Sequence, residues 1–314
     1  MLLPIFIITC SLGITPSLSA SQELTMPSAA KPGCEDRCGN VTIPFPFGIG
    51  FDCAVDKWFQ IECNTSGPSP RLYLKHGNLE VLNITNFVDE DTRRPTDSIQ
   101  VRNPISFYNC LAKEDRIEPL NLTGKPFYFS SSYNTFVAVS CGIVAKVYAS
   151  SSDNYGIDSW CTSTCSTGNI SNSLCDSIDC CEIPYPSLYG DVKISFDNRS
   201  STASDSTSAD HDYDNDECKY AFVVDSDYWS HYKNHSTGFT AIRDQGSVPV
   251  ALYWQLNYSD FDIFKKNMSY TGPETTQYCD TRTPYTLQCQ CNDGLRGNPY
   301  LIDGCNQGNP NQFL

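Results

Sequence analysis

CEDRCGNVTIPFPFGIGFDC, Cys34 to Cys53, packs three cysteines, two prolines and three closely spaced glycines into twenty residues. Pro44 and Pro46 favour extended backbone, and Gly48 and Gly50 permit a tight turn between short strands. Phe45 and Phe47 then have two possible places. They can project from the turn, or they can be pinned in a core beside Cys38 and Cys53. Large aromatics are usually buried, which favours the core. A segment of this kind belongs to a disulfide-stapled, β-rich fold, and the rest of the chain is consistent with that.

The chain of 314 residues holds 17 cysteines. Cys10 lies in an apolar leader, Leu2 to Ile14, followed by small residues up to Ala20. This is the pattern of a secretory signal peptide over residues 1–20, and it is too short for a membrane span. Removing Cys10 leaves an even set. The irregular spacing, with no histidine beside the cysteines, argues for disulfides rather than zinc and for an oxidising compartment. Acceptor triplets for N-glycosylation at Asn40, Asn64, Asn83, Asn121, Asn169, Asn198, Asn234, Asn257 and Asn267 point the same way. After the leader there is no apolar run of spanning length and no hydrophobic tail for a lipid anchor.

The net charge of −15 is unevenly spread. Residues 31–125 carry 11 basic and 13 acidic side chains, whereas residues 126–314 carry 10 and 22. Such acidity excludes nucleic acid as a partner.

Strand patterns dominate. Leu72 to Leu74, a turn at His76 to Asn78, and Leu79 to Ile84 predict a hairpin. Phe127 to Phe129, a Ser-rich turn and Phe136 to Val139 predict another. Val192 to Phe196 and Val250 to Leu256 alternate as strands, and no amphipathic helix of three turns is expected. Residues 198–217 read as a solvated loop. The aspartates Asp210, Asp212, Asp214 and Asp216 lack the Gly and Glu that a calcium loop needs at its sixth and twelfth positions.

The mature cysteines fall into three even sets, as self-contained modules would give. These are Cys34, Cys38, Cys53, Cys63, Cys110 and Cys141; Cys161, Cys165, Cys175, Cys180, Cys181 and Cys218; and Cys279, Cys289, Cys291 and Cys305. Fifteen pairings are open inside each set of six. Adjacent Cys180 and Cys181 cannot easily bond each other and should tether two different segments.

Several motifs together resemble the extracellular region of plant wall-associated receptor kinases. The Cys34 to Cys53 stretch, FQIEC at Phe59 to Cys63, RLYLKHGNLEVLNIT at Arg71 to Thr85 and NTFVAVSCG at Asn134 to Gly142 resemble its galacturonan-binding module. CDSIDCCEIPYPSL at Cys175 to Leu188, CKYAFVVDSDYW at Cys218 to Trp229 and VPVALYWQL at Val248 to Leu256 resemble the following wall-associated module. YTLQCQCNDGLRGNPYLIDGC, Tyr285 to Cys305, resembles an epidermal-growth-factor-like segment. The expected organisation is a signal peptide at 1–20, modules at 31–142 and 143–270, and a partial growth-factor-like segment with a polar tail at 271–314. In that last segment Gly294 and Gly297 shape the turn, with Cys291 expected to pair with Cys305 and Cys279 with Cys289.

The resemblance implies an all-β or β-dominated, secreted, multi-module protein of the cell wall that binds pectin; family members are anchored in the plasma membrane. The near-neutral module at 31–142 is the expected host. Arg71, Lys75, Arg93, Arg94 and Arg102 are candidates to pair uronate carboxylates, and Phe45 and Phe47 are candidates to meet a sugar face. For any one of these cations a solvated surface role is the commoner outcome. Asp89, Glu90 and Asp91 stand close enough to silence Arg93 and Arg94. No cofactor is expected, although calcium could bridge protein and uronate carboxylates. No nucleophile elbow, zinc-helix motif or kinase signature appears, so the chain reads as a non-enzyme lacking the kinase and membrane segments of the family. His231 and His235 have metal-ligand spacing but fall in an expected loop. A rival function is recognition of a protein or peptide ligand, as an immune receptor or a soluble decoy for full-length receptors.

Overall fold

The computed structural model describes residues 29–85, 98–110, 120–140, 142–150, 156–164, 175, 179–186, 191–198, 218–236, 238–257, 277–283, 286–301 and 304–307. Arg93, Arg94, Cys10, Cys141, Cys165, Asn169, Asn267, the leader and residues 199–217 of the expected 198–217 loop lie outside the described residues, while Asn198 ends a strand rather than starting a loop.

The first strands are β1 (Arg37–Cys38), β2 (Val41–Thr42), β3 (Gly48–Ile49), β4 (Gln60–Asn64), β5 (Arg71–Leu74), β6 (Leu79–Ile84) and β7 (Ser98–Pro104). They are followed by β8 (Ser106–Tyr108), β9 (Phe127–Phe129), β10 (Asn134–Val139), β11 (Ile143–Ser150) and β12 (Gly156–Thr162). After β13 (Cys180–Pro184), β14 (Asp191–Asn198) and β15 (Lys219–Asp225) come the helices α1 (Ser226–His235) and α2 (Thr240–Gln245). The chain then adds β16 (Ser247–Trp254), β17 (Leu256–Asn257), β18 (Gln277–Thr283), β19 (Thr286–Cys291), β20 (Leu295–Gly297) and β21 (Cys305–Gln307). The protein is therefore β-dominated, as its patterning predicts.

The largest sheet runs β3-β4-β5-β6-β7-β16-β9, antiparallel except for β3 beside β4. The expected 72–84 hairpin forms, with Leu74 opposite Leu79. The second expected hairpin does not. β9 pairs with β16, and β10 pairs with β13 and β15 in a separate sheet ordered β13-β10-β15-β8. In this second sheet every residue of β15 is buried. Ala221 and Val223 join the larger core, while Tyr220, Phe222 and Val224 join a smaller one with Trp229 and Ile242 from the helices. A strand covered on both faces loses its polar alternation, which is why it reads as a continuous apolar run.

The expected loop YWSHYKNHS is instead part of α1. Asp225 caps it by accepting from the N–H groups of Asp227 and Tyr228, each at 3.1 Å, satisfying donors a helix start leaves open. Trp229 donates its indole N–H to Glu182, whose other oxygen lies 2.6 Å from Lys233 Nζ, fastening α1 to β13.

Phe45 and Phe47 are 5% and 0% exposed, so neither can meet a sugar face. The Phe45–Pro46 peptide is cis, and this stretch turns where the prolines predict extension. Gly48 is required for close packing, since a Cβ there would lie 2.3 Å from the Cys53 carbonyl. Phe47 packs 5.1 Å from Phe59 and 5.7 Å from Trp254, and Trp254 packs 5.3 Å from Tyr300. Burying one such ring fully is worth roughly 1.5–3 kcal/mol, which is the reason the core takes both phenylalanines.

Among the described residues, disulfides join Cys34–Cys53, Cys38–Cys63, Cys110–Cys218, Cys161–Cys181, Cys175–Cys180 and Cys291–Cys305. Cys279 stands opposite Cys289 in the β18–β19 ladder, and Cys289 is disulfide-bonded. The neighbours Cys180 and Cys181 do tie to two different segments. The cysteine sets are not self-contained, however, because Cys110–Cys218 links the first to the second. Sheet pairing crosses the same line, with β16 lying between β7 and β9. The cysteine counts are even in either arrangement, so parity could not reveal the crossing.

The C-terminal cysteine segment is clasped to the backbone at Ala29 and Phe45. Asn298 is 4% exposed and donates to the carbonyls of Ala29 and Phe45 at 2.8 and 2.7 Å, while its own oxygen accepts from Tyr300 N. Asn298→Ala should cost about 2 kcal/mol, since it strands buried partners. Hydrogen exchange should show faster exchange within 286–307 and little change in β15.

Candidate ligand-binding surfaces

The outward face of the large sheet brings two of the predicted cations together. Tyr73 stands opposite both Glu62 and Glu80 in the ladders on either side of β5. Arg102 donates Nε–H to Glu80 Oε2 at 2.7 Å, and Arg71 Nη1 approaches Glu80 Oε1 at 4.0 Å. The Glu80 carboxylate, only 17% exposed, thus receives both guanidinium groups. Arg71 stays 58% exposed, but its charge is partly answered from below. Its partner across β4 is Asn64, an exposed glycosylation acceptor, so a glycan there would stand beside the guanidinium. Arg102 also faces α1. Burial raises the Tyr228 hydroxyl above the usual phenol range, Tyr232 adds to the rise, and Arg102 opposes it.

Lys75 is not part of that cluster. It lies in the turn between β5 and β6, where the structure assembles a second surface. Asp56 accepts from Trp58 N at 2.6 Å and starts a single helical turn, Lys57–Phe59. That turn buries Phe59 completely and leaves Trp58 half-buried. Lys57 Nζ sits 5.1 Å from the centre of the Trp58 ring, and the His76 ring meets Trp58 edge-on at 6.0 Å. From the other side, Lys125 Nζ donates to Asn121 O at 2.6 Å and lies over Gly77, where a Cβ would be 3.7 Å away. Gly77 has φ +128°, a backbone state other residues rarely adopt. Lys57 and His76 therefore flank one tryptophan, with Lys75 in the same turn and Lys125 beside Gly77. Among the described residues none of the three lysines has an ion-pair partner. Asn121, another exposed acceptor, borders the patch.

Sequence reading found only Lys75 of this group. His76 lies in the hairpin turn itself, whereas Lys57, Trp58 and Lys125 are remote in sequence and reach the hairpin only through the fold. His231 and His235 now lie on α1 with rings 4.1 Å apart. Among the described residues no cluster of three metal-ligating side chains occurs. The described acceptors Asn40, Asn64, Asn83, Asn121 and Asn234 are all exposed. No helix among the described residues is long and apolar enough to cross a membrane.

Fold and disulfides define the class: a β-rich, disulfide-stapled protein suited to an extracellular setting. Comparison with known proteins shows what the chain resembles. Residues 34–90 match the family model described as wall-associated receptor kinase galacturonan-binding. Wall-associated receptor kinase-like 6 of Arabidopsis thaliana is 30% identical over 295 residues, covering 87% of this chain and 44% of the relative. Wall-associated receptor kinase-like 3 of the same plant is 28% identical, over 93% of this chain and 41% of the relative. The chain thus resembles the extracellular region of wall-associated receptor kinases over most of its length, and it spans less than half the length of these relatives. No solved structure matches.

Proposed function

We propose that this chain is a non-catalytic cell-wall recognition module that binds de-esterified galacturonan, and that the hairpin tip is the primary contact. One observation carries the choice of surface. At the tip Lys57 and His76 flank an aromatic ring, Lys75 and Lys125 lie on the same hairpin end, and no carboxylate is paired to these lysines among the described residues, whereas Arg71 and Arg102 already share Glu80. A cation without a carboxylate partner gains more from a uronate than one that must leave such a partner. The half-buried Trp58 adds a surface on which a pyranose ring can lie. This patch also lies within the less acidic part of the chain, which limits repulsion of a polyanion.

The test is binding of the secreted glycoprotein to de-esterified oligogalacturonides across a salt series, with and without calcium. Each exposed charge contact is worth about 0.5–1 kcal/mol, so the triple variant Lys57→Ala/Lys75→Ala/Lys125→Ala should bind roughly 10–100-fold more weakly at low salt. Its affinity should also depend less steeply on ionic strength. Arg71→Ala should change affinity by less than about threefold. Equal loss in Arg71→Ala would move the site to the sheet face. A calcium requirement with little salt dependence would favour cation bridging. Absence of binding by folded protein would reject the galacturonan reading and leave recognition of a protein or peptide ligand.

A further inference from the structure

The three-stranded sheet β12-β11-β14 presents one face to the core through Ala145, Val147, Val192, Ile194 and Cys161. Its other face is open and carries Trp160, which is 61% exposed. Lys146 lies directly between Trp160 and Ser195 in the two ladders, and Tyr148 lies beside Lys193 one row along. Lys146 Nζ is 2.6 Å from Asp197 Oδ2, so the central cation of the face is neutralised within the protein. In the next row Tyr148 stands between the backbone positions of Asp158 and Lys193.

We infer that this face is a second carbohydrate site, separate from the hairpin tip, and that its ligand is a neutral, flat pyranose chain of the β-1,4-glucan type. The occupant follows from the chemistry of the face. One large indole flanked by hydroxyl, ammonium and carboxylate groups suits a sugar, whose ring face is apolar and whose rim is hydrogen-bonding. The core of a stable protein interface would instead need a larger contiguous apolar patch, and only one large apolar side chain is strongly exposed here. A polyanion is disfavoured by the local charge balance and by the 22 acidic against 10 basic side chains of residues 126–314. A β-1,4-glucan has all its ring hydroxyls equatorial and is ribbon-like, which matches an aromatic ring lying on a sheet. The inference does not depend on the uronate reading.

Cellohexaose is the probe, titrated into the full glycoprotein and followed by calorimetry and tryptophan fluorescence. Saturable binding is expected, unchanged between low and high salt. Trp160→Ala should weaken it at least tenfold, Trp160→Phe should retain most of it, and oligogalacturonide binding should be unaffected by either. Trp160 is exposed, so both variants should fold, as judged by circular dichroism. Three results would overturn the assignment: no saturable binding of cellohexaose, binding indifferent to Trp160→Ala, or acrylamide quenching of Trp160 that rises sharply once N-glycans are enzymatically removed. The last would show that the protein's own glycan covers this face.

Discussion

Asn134→Ala should remove roughly 3–5 kcal/mol of stability, enough to prevent most of the protein from accumulating in folded form. Asn134 is 2% exposed at the first position of β10. Its amide donates to the carbonyls of Ser130 and Ala251, both at 2.7 Å, and its oxygen accepts from Ala251 N at 2.9 Å. All three partners are backbone groups away from water, and two belong to β16 in the neighbouring sheet. Alanine leaves each without a replacement, and a stranded buried group costs about 1–3 kcal/mol. Asn134→Leu, which keeps the branching at Cγ and leaves no cavity, should fail similarly, separating lost hydrogen bonds from a lost side chain. Urea unfolding and secreted yield provide the measurement. A loss below about 1 kcal/mol would mean that water or a shifted backbone satisfies those groups.

Replacing Cys110 and Cys218 together by alanine should cost about 4 kcal/mol. This disulfide closes a sequence separation of 108 residues. Cross-linking so long a loop reduces the entropy of the unfolded chain by about 4–5 kcal/mol in the chain-entropy model, less any closure that other bridges already impose. By the same model the five-residue separation of Cys175–Cys180 should matter less. Comparing denaturation midpoints of the two paired variants under non-reducing conditions tests this ranking. A larger loss at Cys175 and Cys180 would show that native-state geometry, not loop length, sets the contribution.

What could be read in advance was mostly local. The 72–84 hairpin follows from two short apolar runs around His76-Gly77-Asn78, and the strand at 192–196 follows from alternation alone. Partnership was less legible. The Ser-rich turn after Phe129 looks like a hairpin connection, but the Asn134 side chain fixes the segment between two sheets, a long-range arrangement without a local signature. Helix α1 was missed because its mixed composition shows no strong apolar stripe; Asp225 followed by Ser226 and Asp227 was the available capping signal. Of the candidate ligand residues, Arg71 and Arg102 do meet on one face. Their shared partner Glu80 could be found only by counting across the β6–β7 ladder. Phe45 and Phe47 show the limit of motif reading, since the same residues serve a turn or a core depending on what packs against them.

The clasp at Asn298 has a mechanical side. A ligand held at Trp58 would load the next residue, Phe59, which touches Trp254 at 5.5 Å, and Trp254 touches Tyr300 at 5.3 Å. Tyr300 lies two residues from the clasp and holds Cys289 N through its hydroxyl at 3.1 Å. Tension applied between a wall polymer at the tip and the C-terminal segment would run through a short line of touching rings rather than along a slack connector. Displacement of Trp58 would therefore be passed to the C-terminal segment through packed rings.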